Sequence, residues 1–191
     1  MAFTHLHVHT EYSLLDGSNK IKEYVRRVKE LGMDSAAITD HGVMYGVIDF
    51  YKACRAEGIR PILGCEVYVA PNSRFDKELT GGDDRYYHLV LLAENNTGYN
   101  NLTRIVSRGF TEGYYYKPRV DMELLQEFHE GIIALSACLA GEVQRYITKG
   151  LYDEAKKTAL KYQACFGKGN YFLELQDHGL PEQKMVNTAL L

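Results

Sequence analysis

Short runs of β-branched and aliphatic residues alternate along this chain with longer stretches of helical period, the pattern of repeated strand–helix units around a parallel sheet. Strands are predicted over residues 3–9, 35–39, 61–69, 87–93, 131–136 and 170–176. Between the first two, Ile21, Tyr24, Val25, Val28 and Leu31 recur at three- and four-residue steps and give one apolar helical face. Asp16-Gly17-Ser18-Asn19 offers caps before that helix, and Gly32 ends it. Further helices are predicted over 45–57, 97–109, 121–128, 141–148, 152–166 and 181–191, and 71–85, with its Gly81-Gly82-Asp83-Asp84, and 113–119 as loops. Such units fit a barrel or an open doubly wound sheet, and periodicity does not choose between them. There is no G-x-G-x-x-G and no P-loop to favour a nucleotide-binding open sheet.

With 191 residues, 46% of them hydrophobic, the chain fits one α/β domain over 1–191. Its 22 basic and 25 acidic residues leave a net charge of −3, which excludes a general electrostatic clamp for nucleic acid. A nucleic-acid substrate would have to be attracted locally, for instance by bound divalent cations. Cys54, Cys65, Cys138 and Cys165 form no C-x-x-C pair and no leader precedes them, which predicts a reducing, cytoplasmic setting; no apolar run is long enough to cross a bilayer.

Histidine and acidic side chains gather at the ends of the predicted strands, and in a parallel barrel those ends form one mouth where active sites are assembled. His7 and His9 lie two apart at the end of the first run and share a face. His41 follows the second run, Glu66 sits in the third, His88 opens the fourth, Cys138 follows the fifth, and Asp16 lies in the loop after the first. Imidazole, carboxylate and thiolate together suit zinc, manganese or iron, and a bridging carboxylate permits the paired ions that phosphoester hydrolysis uses. His5 shares the face of His7 and His9, so spacing leaves open which two bind metal and whether His5 fills the barrel below them. Taken alone, Cys138 reads as a small buried hydrophobe, His129 as a surface residue, and His178 as evenly divided between structural and functional roles. Tyr115 and Tyr116 offer stacking faces for unpaired DNA bases, with Lys117 and Arg119 for phosphates, although such a run more often packs a loop against its own domain.

These residues carry a family resemblance. His7-Val8-His9-Thr10 through Ser13-Leu14-Leu15-Asp16-Gly17 resembles the opening motif of PHP (polymerase and histidinol phosphatase) domains, and Thr39-Asp40-His41-Gly42 resembles the second. Ile62-Leu63-Gly64-Cys65-Glu66, Tyr87-His88-Leu89, Leu135-Ser136-Ala137-Cys138-Leu139 and His178-Gly179-Leu180-Pro181-Glu182-Gln183 follow in the order typical of bacterial replicative polymerase III alpha subunits, as do Arg74-Phe75-Asp76 and Tyr116-Lys117-Pro118-Arg119. The resemblance covers essentially the whole chain. It implies a distorted seven-stranded βα barrel and a cluster of up to three divalent ions, zinc, manganese or iron. It implies His7, His9, Asp16, His41, Glu66, His88 and Cys138 as the catalytic metal ligands, and excludes His5. It further implies a metal-dependent 3′→5′ proofreading exonuclease acting on a DNA 3′ end, partnered by the rest of a polymerase chain and by replisome subunits.

The family closes its site with an Asp-x-His motif on a seventh strand, which this chain does not contain; Asp177-His178 lacks the intervening residue. The chain also stops on Leu190-Leu191 with no C-cap. The expectation is therefore an N-terminal piece of a longer polymerase, without the last barrel strand and without palm, fingers and thumb. Two other readings stand beside it: a stand-alone phosphomonoesterase like histidinol phosphatase, and a non-catalytic scaffold stabilised by metal.

Overall fold

Helix α1 (Ile21–Glu30) buries Ile21, Val25 and Val28 at helical spacing, and α2 (Val47–Glu57) answers with Val47, Phe50 and Cys54. The two helices close over one face of strand β1 (Ser35–Ile38), where Ala36 and Ile38 complete a first apolar cluster with Ile59. The computed structural model describes residues 3–78 and 85–191. The predicted cap of α1 has another use: Asn19 donates to His9 O, and the Ile21 N–H goes instead to Glu11 Oε1 at 3.2 Å. Gly58, at φ +72°, ends α2 in the left-handed conformation that glycine adopts without a steric penalty.

The remaining elements follow as β2 (Arg60–Val69), β3 (Tyr87–Ala93), α3 (Asn96–Thr111), β4 (Tyr114–Tyr115), β5 (Lys117–Val120), α4 (Met122–Glu127), β6 (Ile132–Leu135), α5 (Glu142–Thr148), α6 (Tyr152–Phe166), β7 (Tyr171–Phe172) and α7 (Pro181–Leu190). Together with β1 the strands make a seven-stranded mixed sheet of order β4-β5-β2-β3-β6-β7, with β1 parallel to the first half of β2. Alternation sorts the two faces. Cys65, Val67, Leu89 and Leu91 point outward into the main core, where Leu102 and Ile105 of α3, Leu124 and Leu125 of α4 and Tyr162 and Phe166 of α6 cover them. Val90, Leu92, Leu135 and Ala137 point the other way and form a small inner cluster with Ile62 and Ile133.

Three sequence expectations need correction. Residues 3–9 do not form a strand: among the described residues their one backbone–backbone hydrogen bond is from Thr39 N to Val8 O at 2.8 Å. The stretch 113–119 is not a loop but holds the β4–β5 hairpin, paired Tyr114 to Pro118 and Tyr115 to Lys117. The sheet is not all parallel either, because β3 runs antiparallel to both β2 and β6. The Gly81-Gly82-Asp83-Asp84 loop prediction lies outside the described residues.

The reversal of β3 positions the site. The C-terminal ends of β1, β2, β6 and β7 and the beginning of β3 all reach one mouth, so His88 at the start of its strand arrives beside residues that follow theirs. The sheet is also strongly curled. Three strand spacings would hold β2 and β7 roughly 14 Å apart in a flat sheet, yet the single ring of His7 touches Glu66 of β2 and Glu174 beyond β7. The curl leaves a lateral cleft of about 920 Å³ onto the inner face, lined by Leu6, Ile62, Leu92, Ile133 and Leu175 among others.

Candidate metal centre

The centre is organised by one carboxylate. Glu66 is 1% exposed. Its Oε1 stands 2.7 Å from His41 Nδ1 and 2.6 Å from His88 Nδ1, and its Oε2 stands 2.6 Å from His7 Nε2 and 3.8 Å from His9 Nε2. The two oxygens thus face two separate histidine pairs. His7, His9 and Glu66 form one trio of candidate ligands, and His41, Glu66 and His88 a second, with the atoms of each trio within 4.8 Å of one another.

The backbone presents these side chains in register. His41 and Glu66 form a parallel bridge in which Gly42 N donates to Glu66 O at 2.8 Å and Glu66 N donates to Asp40 O at 3.1 Å. His9 Nδ1 lies 2.9 Å from Thr39 O, a pairing that places the ring proton on Nδ1 and leaves Nε2 free to face the cluster. Asp40 is buried and accepts from Thr10 N, Thr10 Oγ1 and Ser13 Oγ at 2.6–2.8 Å, which ties the Thr10–Asn19 loop to the end of β1. That loop brings Asp16 Oδ2 to 3.0 Å from His41 Nε2 on the solvent side. Ala137, at φ +63°, turns the chain after β6 and delivers Cys138 Sγ to 3.6 Å from His88 Nδ1.

Charge is compensated within the cluster by shared protons. Burial alone would raise Glu66, but hydrogen bonds from His41, His7 and His88 override it and hold the carboxyl far below its usual range. Burial would lower His7, yet its hydrogen bonds to Glu174 and Glu66 lift it to about 10. His41 is raised in the same way by Glu66 and Asp16, whereas in His9 burial prevails and lowers the pKa. Cys138 is pushed up to about 11, mainly by burial and then by the Glu66 charge, so it rests as a thiol.

All seven residues singled out from the sequence thus lie in or directly against one cluster; the other predicted contacts separate. Arg119 is buried, with Nε on Gly113 O and Nη2 on Arg74 O and Asp76 O, so it is a structural cross-link and not a phosphate contact. Tyr115 packs beneath that guanidinium at 5.0 Å. Tyr116 is 59% exposed, and Lys117 Nζ sits 5.4 Å over the Tyr68 ring. His5 is exposed and edge-on to Phe3, not filling the barrel below the cluster. His129 is a surface residue, and His178 is exposed and bonded to Gln183.

Sequence reasoning missed Glu174. Its Oε1 lies 2.7 Å from His7 Nδ1, and its Oε2 is buried with no hydrogen-bond partner among the described residues. The available signal was position: Glu174 ends the sixth predicted strand as His7 and His9 end the first. A carboxylate bridging two histidine pairs, an orphaned carboxylate oxygen beside them and a nearby thiol make a nitrogen, oxygen and sulfur donor set that fits divalent ions of the zinc, manganese or iron type.

Comparison with known proteins agrees with this geometry. Residues 5–178 match the PHP domain family model. The chain is 53% identical over 191 residues to the DNA polymerase III subunit alpha of Treponema pallidum, covering 100% of this chain and 16% of that protein. It is 49% identical to the corresponding subunit of Deinococcus radiodurans, over 98% of this chain and 14% of that one, and 46% identical to that of Thermus aquaticus, over 100% and 16%. This chain therefore spans about one sixth of the length of these relatives. Among solved structures, a protein described as a metal-dependent phosphoesterase from Bifidobacterium adolescentis shares the fold with a TM-score of 0.56 at 15% identity, over 97% of this chain and 82% of that one. An amidohydrolase from Chromobacterium violaceum with bound sulfate gives 0.58 at 15% identity, over 98% and 82%. On its sequence match and on the curled α/β sheet that frames the histidine–carboxylate cluster, this chain belongs to the PHP domain family.

Proposed function

We propose that this chain is the PHP domain of a bacterial replicative DNA polymerase alpha subunit, and that its cluster hydrolyses the 3′-terminal phosphodiester of DNA. The observation that carries this reading is Glu66, whose two oxygens each face their own histidine pair. His7, His9, His41, Glu66 and His88, with Asp16 and Cys138 beside them, would hold two or three divalent ions. Such ions, when bound, lower the pKa of water and neutralise phosphate oxygens.

The chain's own residues prepare the site for that chemistry. Glu66 sets the spacing between the two halves by offering one oxygen to each. Glu174 accepts a hydrogen bond from Nδ1 of His7 and leaves Nε2 directed at the centre, while Thr39 O does the same for His9. Asp16, 59% exposed, stands on the open side of His41, where a phosphate would enter. Cys138 would ligate as thiolate only where a cation displaces its proton.

The parent protein would be a DNA-directed polymerase of the bacterial cytoplasm, working with replisome subunits. No helix among the described residues is long and apolar enough to cross a membrane. The test is to load the full-length protein with manganese or zinc and offer it 3′-labelled single-stranded DNA and, separately, a small phosphomonoester, with His9→Ala as control. Release of 3′ nucleotides from DNA alone, lost in His9→Ala, is the expected result. Turnover of the monoester instead would make this a phosphomonoesterase, and inactivity towards both would leave a metal-stabilised scaffold.

A further inference from the structure

The connection from β2 to β3 starts and ends at the mouth, because the two strands are antiparallel and Val69 pairs with Tyr87. The β4–β5 hairpin stands beside it, with β5 parallel to the last residues of β2 through Tyr68–Arg119 and Val69–Val120. Counting back two residues on each strand sets Lys117 level with Glu66. Gly42, next to the candidate ligand His41, is so close to the hairpin that a Cβ there would lie 2.9 Å from Tyr68 and 3.0 Å from Pro118.

From the cluster outwards the rings form a continuous surface. Tyr68 stands edge-on to His88 at 5.3 Å and to Tyr86 at 4.9 Å, and Tyr86 lies nearly parallel to His88 at 6.1 Å. Lys117 Nζ sits over Tyr68, and the Arg85 guanidinium covers the Tyr116 ring at 4.5 Å. Among the described residues no carboxylate lies within ion-pair distance of Lys117. In a chain of net charge −3, two cations set among tyrosines at the mouth are a local exception.

The hairpin is also held firmly and at a cost. Its reversal rests on Tyr116 at φ +62°, a conformation that glycine, asparagine or aspartate adopts far more readily. Arg119 and Lys77 fix its base from below, Lys77 Nζ donating to Glu112 O and Tyr114 O at 2.9 Å each. A strained backbone that keeps an exposed aromatic ring in place is a pattern associated with function.

We propose that Lys117, Tyr116, Tyr86 and Arg85 form the binding site for the last nucleotides of a single strand: Lys117 and Arg85 take phosphates, and the two tyrosines are stacking faces for bases. The inference rests on the hydrolytic reading and supplies what that reading lacks, a reason for the site to prefer DNA over a small phosphate ester. A bis-nitrophenyl phosphodiester needs only the metal centre to hold it, whereas a tetranucleotide is long enough to lie over the centre and the rim at once. Stacking on an aromatic side chain contributes enough per base that losing one ring raises KM about tenfold or more.

The test uses the full-length, manganese-loaded protein with Lys117→Gln and Tyr116→Ala. Tyr116→Ala should raise KM for a thymidine tetranucleotide about tenfold, and Lys117→Gln should raise it and flatten its salt dependence, with kcat little changed and hydrolysis of the bis-nitrophenyl diester unaltered in both. Equal loss on both substrates, or an unchanged KM for the tetranucleotide, would overturn the proposal. A second readout does not need turnover: a tetranucleotide carrying 4-thiothymidine at its 3′ end is irradiated on the protein, and the adduct is mapped by mass spectrometry. Adducts at Tyr86 or Tyr116 support the rim even if no hydrolysis occurs, in which case only the hydrolytic reading fails. Adducts confined to other parts of the protein sink the rim while leaving that reading standing.

Discussion

Replacing Glu174 tests whether a carboxylate outside the histidine motifs governs metal affinity. In the native arrangement its Oε1 accepts from His7 Nδ1 at 2.7 Å and from Gln176 Nε2 at 2.7 Å. Glu174→Ala removes the acceptor that fixes the His7 tautomer. Gln176 Nε2 lies 3.3 Å from the same ring nitrogen but is itself a donor, so it does not replace the lost acceptor. Loss of a carboxylate behind a ligating histidine costs about 10- to 100-fold in metal affinity, equivalent to roughly 1.4–2.7 kcal/mol. With no substitute in place, the effect should fall near the upper end. Glu174→Gln retains an amide oxygen that can accept the proton and should lose about tenfold or less. The assay is zinc competition against a fluorescent chelator near neutral pH, with far-UV circular dichroism to confirm that the variants fold. Unchanged zinc affinity in Glu174→Ala would refute the tautomer argument. A stoichiometry reduced by one ion per chain would instead make Glu174 a direct ligand.

Other outcomes follow from the fold and from charge burial. Gly98→Ala should destabilise despite alanine's advantage of about 1 kcal/mol in a helix, because its Cβ would lie 1.8 Å from Gly131 O; overpacking against backbone costs about 1–3 kcal/mol, and urea denaturation showing a gain would contradict this. Glu142 is raised mainly by burial, against the opposing Tyr162 hydrogen bond. Its folded pKa exceeds the unfolded value, so its effect favours the native state below the ordinary carboxylate pKa, and stability falls as pH rises through the raised value. Glu142→Gln should therefore melt above the native protein at neutral pH, with the difference disappearing in acid; a native protein that gains on the variant as pH rises would show the sign to be wrong. Zinc at 100 times its dissociation constant should stabilise the folded chain by about 2.7 kcal/mol, reversed by chelator, and a thermal scan indifferent to both would speak against a preformed site.

The helices were largely legible because their apolar spacing survives in the fold: α6 spans the predicted residues, and Leu102, Ile105 and Val106 of α3 face inward. Strand existence was readable in apolar runs such as 87–93 but not over 3–9, and strand direction was not. An apolar run reads the same in either direction, and only the registers with β2 and β6 show that β3 is reversed. The β4–β5 hairpin escaped because it turns on Tyr116 where a glycine or asparagine would have signalled a reversal. The seven candidate residues drew attention by lying at or after strand ends, where spacing left His5, His7 and His9 undivided and the family resemblance chose among them; the positional rule alone would have reached Glu174. Arg119 was misread because a cation beside tyrosines looks alike whether its donors meet phosphate or buried carbonyl groups.

The reversed strand also bears on how such a domain can diversify. In a sheet of parallel strands, a connection must travel the length of the barrel and is constrained along its whole path by the helix layer. Here both anchors of the β2–β3 connection are at the mouth, at Val69 and Tyr87, and its first part is tied down there by buried Arg74 on Asp121 and by Lys77 on the base of the hairpin. Loop closure adds only about 0.6 kcal/mol for each doubling in length. Changes beyond Lys77 that keep those ties would alter which molecules reach the metal centre while the strands holding Glu66 and His88 stayed in register, making this connection a natural graft point for engineering new specificity.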